Sequence, residues 1–245
     1  MILLIDIGNS RAKWTTFSEG KLGVQGAAAH GAWGEADWRR EIERSGATRV
    51  LAASVATPAR NALLTAACQR SIGRPPEFVS STAAAAGVRN GYSNPAQLGV
   101  DRWLAVIGAF HRRAAACCVV DAGTAMTIDA VDGTGQHLGG FIVPGPGLMV
   151  DSLLTGTSDL ADRWSRDSAP DQTRFPGNTR DAIDHGCLRA LAALVETALR
   201  QIEVQASQPP RLVLTGGAAP VLIPWLPQPV EFVPDLVLQG LARLA

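Results

Sequence analysis

The sequence lacks both glycine-rich signatures that most often cradle nucleotide phosphates: neither G-x-x-x-x-G-K-[ST] nor G-x-G-x-x-G occurs. It has no G-x-S-x-G elbow for a nucleophilic serine. It has no net charge, because 22 lysines and arginines balance 22 aspartates and glutamates, so there is no electrostatic footprint for nucleic acid or an anionic membrane. A zero total does not exclude a locally basic pocket for phosphates. Cysteine is sparse. Cys68, Cys117, Cys118 and Cys187 form no C-x-x-C pair, and the adjacent two sit in an apolar run, so all four read as reduced thiols and small core hydrophobes. His30, His111, His137 and His185 have no ligand spacing, which removes a zinc site. No apolar run reaches transmembrane length, and Asp6 interrupts the first one before a secretory signal could form. The expected location is cytoplasmic.

What is present is a globular composition, with 47% apolar and 18% charged residues over 245 positions, enough for two small domains. Met1 to Ile5, Trp14 to Phe17 and Lys21 to Ala29 read as a meander of three strands. Trp38 to Ser45 is helical up to Gly46. Arg49 to Val55 is a strand, and Pro58 opens a helix to about Ser71. Residues 87 to 98 form a loop with turn signals at Asn90-Gly91 and Asn94-Pro95. Trp103, Leu104, Val106, Ile107 and Phe110 then recur at helical spacing. Ala116 to Val120, Thr127 to Val131 and Gln136 to Val143 are strands, broken by Pro144-Gly145-Pro146-Gly147. After a loop-rich stretch over 156 to 178, Arg180 to Ile202 is the longest helix. Leu212 to Leu214 is a strand, and Asp235 to Leu244 is a closing helix. The tryptophans at 14, 33, 38, 103, 164 and 225 do not interleave with basic residues, so core or interface roles suit them better than base stacking.

Two passages share one pattern. Leu4-Ile5-Asp6-Ile7-Gly8-Asn9 and Val119-Val120-Asp121-Ala122-Gly123-Thr124 each end an apolar strand in D-x-G and open a strand–turn–strand unit, nearly half the chain apart. Gly20 and Gly135 repeat the same offset. An internal duplication follows: an α/β domain over 1–115 and a second over 116–245. A lone D-x-G turn reads as a tight hairpin whose aspartate accepts from backbone amides. Its recurrence shifts the reading to phosphate and metal binding. Glycine lets amides approach an anion, Asn9, Ser10 and Lys13 add donors, and Asp6 can hold magnesium. Thr215-Gly216-Gly217 could pass a ribose or base against the backbone, though a plain helix entry explains it as well. Asp101, after Gly99-Val100, reads first as a carboxylate at a helix start, and Arg102 as a solvated charge. The functional alternative is a general base with an anion-binding arginine.

Taken in order, these motifs resemble the type III pantothenate kinase family. The resemblance rests on Asp6-Ile7-Gly8-Asn9-Ser10 (with Ser for the family's Thr), Gly99-Val100-Asp101-Arg102, the run Asp121 to Asp129, Gly139-Gly140-Phe141-Ile142-Val143-Pro144-Gly145, Asn178-Thr179 and Thr215-Gly216-Gly217. It implies the duplicated actin-like, ribonuclease-H-like ATPase fold, two domains around a nucleotide cleft, and ATP-dependent phosphorylation of pantothenate at the start of coenzyme A synthesis. By the same resemblance Asp6, Ile7, Gly8, Asn9, Ser10, Arg11, Ala12, Lys13 and Thr124 bind ATP, and Asp6 holds magnesium. Asp121 binds a monovalent cation, potassium or ammonium. Asp101 accepts the proton, and Tyr92, Gly99, Val100, Arg102 and Thr179 join it around pantothenate. The implied assembly is a homodimer with pantothenate at the subunit interface, so Thr179 is expected to serve the partner's site. Tyr92 is the single tyrosine, and its loop position fits a substrate contact. Two other readings stay open on sequence alone: a regulator that keeps the fold to bind nucleotide or pantothenate, and a kinase of the same fold acting on a sugar or acyl substrate.

Overall fold

The computed structural model describes residues 1–157, 160 and 175–245. Trp164 and most of the 156–178 loop lie outside the described residues, as does the side chain of His30.

The first sheet is built from β1 (Ile2–Ile7), β2 (Arg11–Ser18), β3 (Lys21–Leu22), β4 (Gly26–Ala29), β5 (Arg49–Ser54) and β6 (Glu77–Phe78). The expected strand over 21 to 29 is two short strands, because β3 and β4 pair with different stretches of β2. The order is β3-β2-β1-β5-β6, with β4 also on β2. β2 runs antiparallel to β1, and β5 parallel to it. Helices α1 (Glu35–Ser45) and α2 (Pro58–Ile72) follow the strands, and both end on a glycine in the left-handed region, Gly46 at φ 63° and Gly73 at φ 72°. Proline opens α2, where its missing N–H has no helical partner to lose. Alternation puts Leu3, Ile5 and Ile7 on one face of β1, packed with Trp38, Ile42 and Leu64. Trp14, Trp33 and Trp38 form a cluster with ring centroids 4.4–5.8 Å apart, so the core role expected of these tryptophans holds.

A small hairpin, β7 (Ala84–Ala85) and β8 (Val88–Arg89), precedes α3 (Val100–Arg112). The second sheet comprises β9 (Cys117–Ala122), β10 (Ala125–Val131), β11 (His137–Pro144), β12 (Arg211–Thr215) and β13 (Val230–Phe232), in the order β11-β10-β9-β12-β13. With β4, which pairs only with β2, left out of the count, both sheets run third, second, first, fourth, fifth, the strand order expected of a duplication. Gly20 and Gly135 also match, at φ 76° and φ 82°. Helix α4 (Pro146–Gly156) begins within the Pro-Gly run read as a break. Long helix α5 (Thr179–Ala206) follows, and then α6 (Ala219–Leu222) and α7 (Leu236–Leu241). Cys118, Val120, Met126, Ile128, Leu191, Val195, Leu212 and Leu214 make one core cluster with the apolar faces of these elements.

The chain divides into two compact units: Met1–Ala115, Val131–Gly139 and Asp235–Ala245 form one, Ala116–Ala130 and Gly140–Pro234 the other. In the first unit α3 and α7 are in close contact. A Cβ on Gly240 would stand 1.9 Å from the Leu104 carbonyl oxygen, and one on Gly108 2.5 Å from that of Leu236. Only glycine lets the two backbones meet this closely. That contact fixes the helix whose first turn carries Asp101.

Candidate functional site

In the first unit, β1 delivers Asp6 at its end, opposite Lys13 on β2 and Ala53 on β5. The chain then turns. Gly8 N–H donates to the Arg11 carbonyl at 3.0 Å, and Val55 N–H to that of Ile7 at 3.0 Å. Asn9, Ser10 and Arg11 are exposed, Asp6, Gly8 and Lys13 are half-buried, and Ile7 and Ala12 point into the core. The expected ATP segment is therefore a turn with outward donors, anchored by its two apolar members.

The second expected group gathers at the start of α3. Gly99 is the residue before the helix, and its carbonyl accepts from Trp103 N–H at 2.9 Å. A Cβ on Gly99 would lie 2.7 Å from Asp101 Oδ1, so glycine makes room for that carboxylate to fold back over the helix start. The same oxygen accepts from Arg102 N–H at 2.8 Å. Val100 is buried, Asp101 half-buried, and Arg102 only 5% exposed. The reading of Arg102 as a solvated charge is thereby excluded: a buried guanidinium needs partners. Its Nη1 donates to Tyr92 Oη at 2.8 Å. Tyr92 N–H donates to Asn90 Oδ1 at 2.9 Å, and Asn90 Nδ2 donates in turn to the carbonyls of Thr82 and Pro95.

In the second unit, Asp121 lies at the end of β9, opposite Thr215 on β12. Gly123 N–H donates to the Ala125 carbonyl at 3.0 Å, and Thr124 is exposed. Two further glycines press on this turn. A Cβ on Gly216, at φ 97°, would stand 2.4 Å from both Asp121 Oδ1 and the Ala122 carbonyl oxygen, and one on Gly145 2.1 Å from that of Gly123. The T-G-G turn is thus more than a helix entry: its first glycine lies directly against the Asp121 turn. Thr179 is the first residue of α5. Asn178 caps that helix, its Oδ1 accepting from Asp181 N–H and its Nδ2 donating to Asp181 Oδ2, both at 2.9 Å. Thr179 lines a groove of about 440 Å³ with Met149, Leu153, Ile183 and Cys187.

All four cysteines are free and buried. Burial pushes the Cys68 and Cys117 thiols up to about 12 and raises those of Cys118 and Cys187, so at neutral pH they are protonated and unreactive. Among the described residues no three His, Cys, Asp or Glu side chains converge on a metal position. No described helix is long and apolar enough to cross a membrane.

Sequence reading gave His137 no role in the site and took Gly91 only as half of a turn signal; the His137 ring lies against Tyr92 and the Gly91 backbone against the His137 carbonyl, contacts between positions far apart in the chain.

A family model described as type III pantothenate kinase matches residues 2–201. A type III pantothenate kinase of Laribacter hongkongensis (strain HLHK9) is 40% identical over 249 residues, covering 100% of this chain and 98% of that protein. One of Aromatoleum aromaticum is 42% identical over 247 residues, covering 100% and 98%. Among solved structures, the chain is similar to a Campylobacter jejuni protein described as a Baf family transcriptional activator (TM-score 0.60, 22% identity, 99% and 96% covered). It is also similar to a Sinorhizobium meliloti protein described as a 2-dehydro-3-deoxygalactonokinase (TM-score 0.63, 12% identity, 99% and 97% covered). The (R)-2-hydroxyglutaryl-CoA dehydratase component A of Acidaminococcus fermentans matches with a TM-score of 0.55 at 17% identity, 99% and 95% covered. At these identities the likeness shows the fold alone, the actin-like ATPase and sugar-kinase fold that the family resemblance implies.

Proposed function

The chain belongs to the type III pantothenate kinase family, and from that premise we infer its reaction and the roles of its residues. It transfers the γ-phosphoryl group of ATP to pantothenate, giving ADP and 4′-phosphopantothenate, the first step of coenzyme A biosynthesis. The bond from phosphorus to the ADP oxygen breaks, a bond to the substrate hydroxyl oxygen forms, and the hydroxyl proton needs an acceptor.

Asp101 is that acceptor in this reading. Its carboxylate is half-buried beside a helix start, next to a glycine that leaves room around it. Arg102 faces the pantothenate carboxylate, and Tyr92 holds the guanidinium in place. Gly99 and Val100 complete that wall, and Thr179, at the start of α5, offers its hydroxyl to pantothenate in the partner's site of the implied dimer. The observation that carries the assignment is the buried Arg102 bonded to the single tyrosine beside Asp101: a buried cation, an acid and a hydroxyl in one place suit an anionic alcohol.

The segment from Asp6 through Ile7, Gly8, Asn9, Ser10, Arg11 and Ala12 to Lys13 presents its polar members to ATP phosphates, and Thr124 is an ATP contact in the same reading. Hard carboxylate oxygens suit magnesium at Asp6 and a monovalent cation, potassium or ammonium, at Asp121. Gly216 leaves the room that the Asp121 carboxylate occupies, where any side chain would displace it. When bound, these ions supply charge neutralisation for the phosphates. A homodimer is favoured by the exposed Phe141, Ile142, Leu148 and Leu153, apolar side chains from β11 and α4. A cytoplasmic location fits four reduced, buried thiols.

The test is ADP release with ATP, magnesium and pantothenate, first in potassium and then in sodium. Pantothenate-dependent release that requires potassium is expected. Equal rates in the two salts would remove the cation role of Asp121, and no release in either would move the reading to a nucleotide- or pantothenate-binding regulator.

A further inference from the structure

Tyr92 lies between β8 and the single turn Pro95–Gln97, in a stretch of chain outside any strand. Its hydroxyl nevertheless has to stay within hydrogen-bond distance of a buried guanidinium, so something must fix the ring as well as the backbone. Two contacts do so. The His137 imidazole, fully buried at the start of β11, lies nearly parallel to the Tyr92 ring, with centroids 6.0 Å apart and planes at 16°. Its Nδ1 accepts from Gly91 N–H at 3.4 Å, which places a proton on Nε2 in the neutral ring. That bond is long, so ring packing is the larger share of the contact. Gly91 supplies the other half: a Cβ there would stand 2.1 Å from the His137 carbonyl oxygen. The loop backbone is therefore pressed onto residue 137, a distance only glycine tolerates.

We propose that His137 and Gly91 are positioning residues for the acceptor substrate: together they seat Tyr92, and through its hydroxyl they orient Arg102. Neither touches the reacting atoms. The inference rests on the reading that Tyr92 and Arg102 bind pantothenate, and it adds that the affinity for pantothenate, rather than for ATP, is set from the first residue of β11. His137 has no part in proton transfer here. Its value lies in combining a flat ring with an acceptor for a loop amide in one buried side chain.

Because the chain has one tyrosine, incorporation of 3-fluorotyrosine gives a single ¹⁹F resonance that reports the seat directly. In His137→Leu the resonance is expected to move toward the position of free fluorotyrosine, and KM for pantothenate to rise about tenfold, with KM for ATP within about twofold. Gly91→Ala is expected to do the same through the backbone. His137→Phe keeps the ring and is expected to retain most of the shift, with KM raised less than about threefold. It also serves if His137→Leu does not fold. An unmoved resonance in His137→Leu and Gly91→Ala would overturn the seat. A moved resonance with unchanged KM for pantothenate would overturn the positioning role. Absence of pantothenate turnover in the unsubstituted protein would instead overturn the reading of the site, while the resonance still reports on the seat.

Discussion

The two aspartate turns start from one design and end differently. Both close a first strand, both use a glycine amide to reach back to the next strand, and both sit in sheets of the same strand order. In the first, a Cβ on Gly8 would meet only the Arg11 carbonyl oxygen, at 3.1 Å, and three consecutive side chains, Asn9, Ser10 and Arg11, are exposed. In the second, Gly145 and Gly216 close on the turn so tightly that any added carbon would collide, and the exposed residues reduce to Thr124 and Ala125. The first turn exposes donors; the second is packed closely by neighbouring backbone around Asp121.

The comparison can be broken in several places. The largest effect is expected outside both turns, at the helix start that the first unit adds: Asp101→Asn should lower kcat by about 10²–10⁴-fold while ATP affinity, read by calorimetry, stays within about twofold. Retained turnover would remove Asp101 as base. Next, Gly216→Ala should cost about 2–4 kcal/mol of stability in urea titration, since a φ of 97° and a backbone oxygen at 2.4 Å both oppose a side chain. Gly8→Ala should cost ~1 kcal/mol or less; equal costs at the two sites would erase the contrast between the turns. Asp121→Ala should leave the fold intact and abolish the advantage of potassium over sodium in the rate.

The smallest effect concerns the turn after β10. Burial pushes the Asp132 carboxyl up, but the Thr134 hydroxyl, the Gln136 and Thr134 amides and the Arg89 charge outweigh it, and its pKa lies below the ordinary 3.8. A depressed folded value means that the stability it contributes is complete above the ordinary value and is lost as pH falls through the folded one. Asp132→Asn should therefore flatten a small acid-side decline in the urea midpoint below about pH 4 and leave neutral pH activity unchanged.

Much of this was legible in the residues. Apolar runs stopping at Asp6 and Asp121 placed β1 and β9, and the glycine offset revealed the repeat, because strand ends and left-handed turns leave local marks. Helix α4 was not legible: Pro144-Gly145-Pro146-Gly147 reads as a break, yet Pro146 is the first residue of the helix, where proline is at home. The site was half legible. Asp101 and Arg102 looked like an ordinary helix start, and only the burial of Arg102 and its bond to Tyr92 show that this arginine is no solvated charge. Gly91 was marked only as part of a turn and His137 not as part of the site, since their partnership joins positions far apart through a ring stack and a missing Cβ.

The central claim is that this chain phosphorylates pantothenate, and mass analysis of the products tests it most directly. Incubated with ATP, magnesium, potassium and pantothenate, the protein should yield 4′-phosphopantothenate in step with ADP, and Asp101→Asn should yield neither. ADP formed while pantothenate stays unmodified would contradict the account.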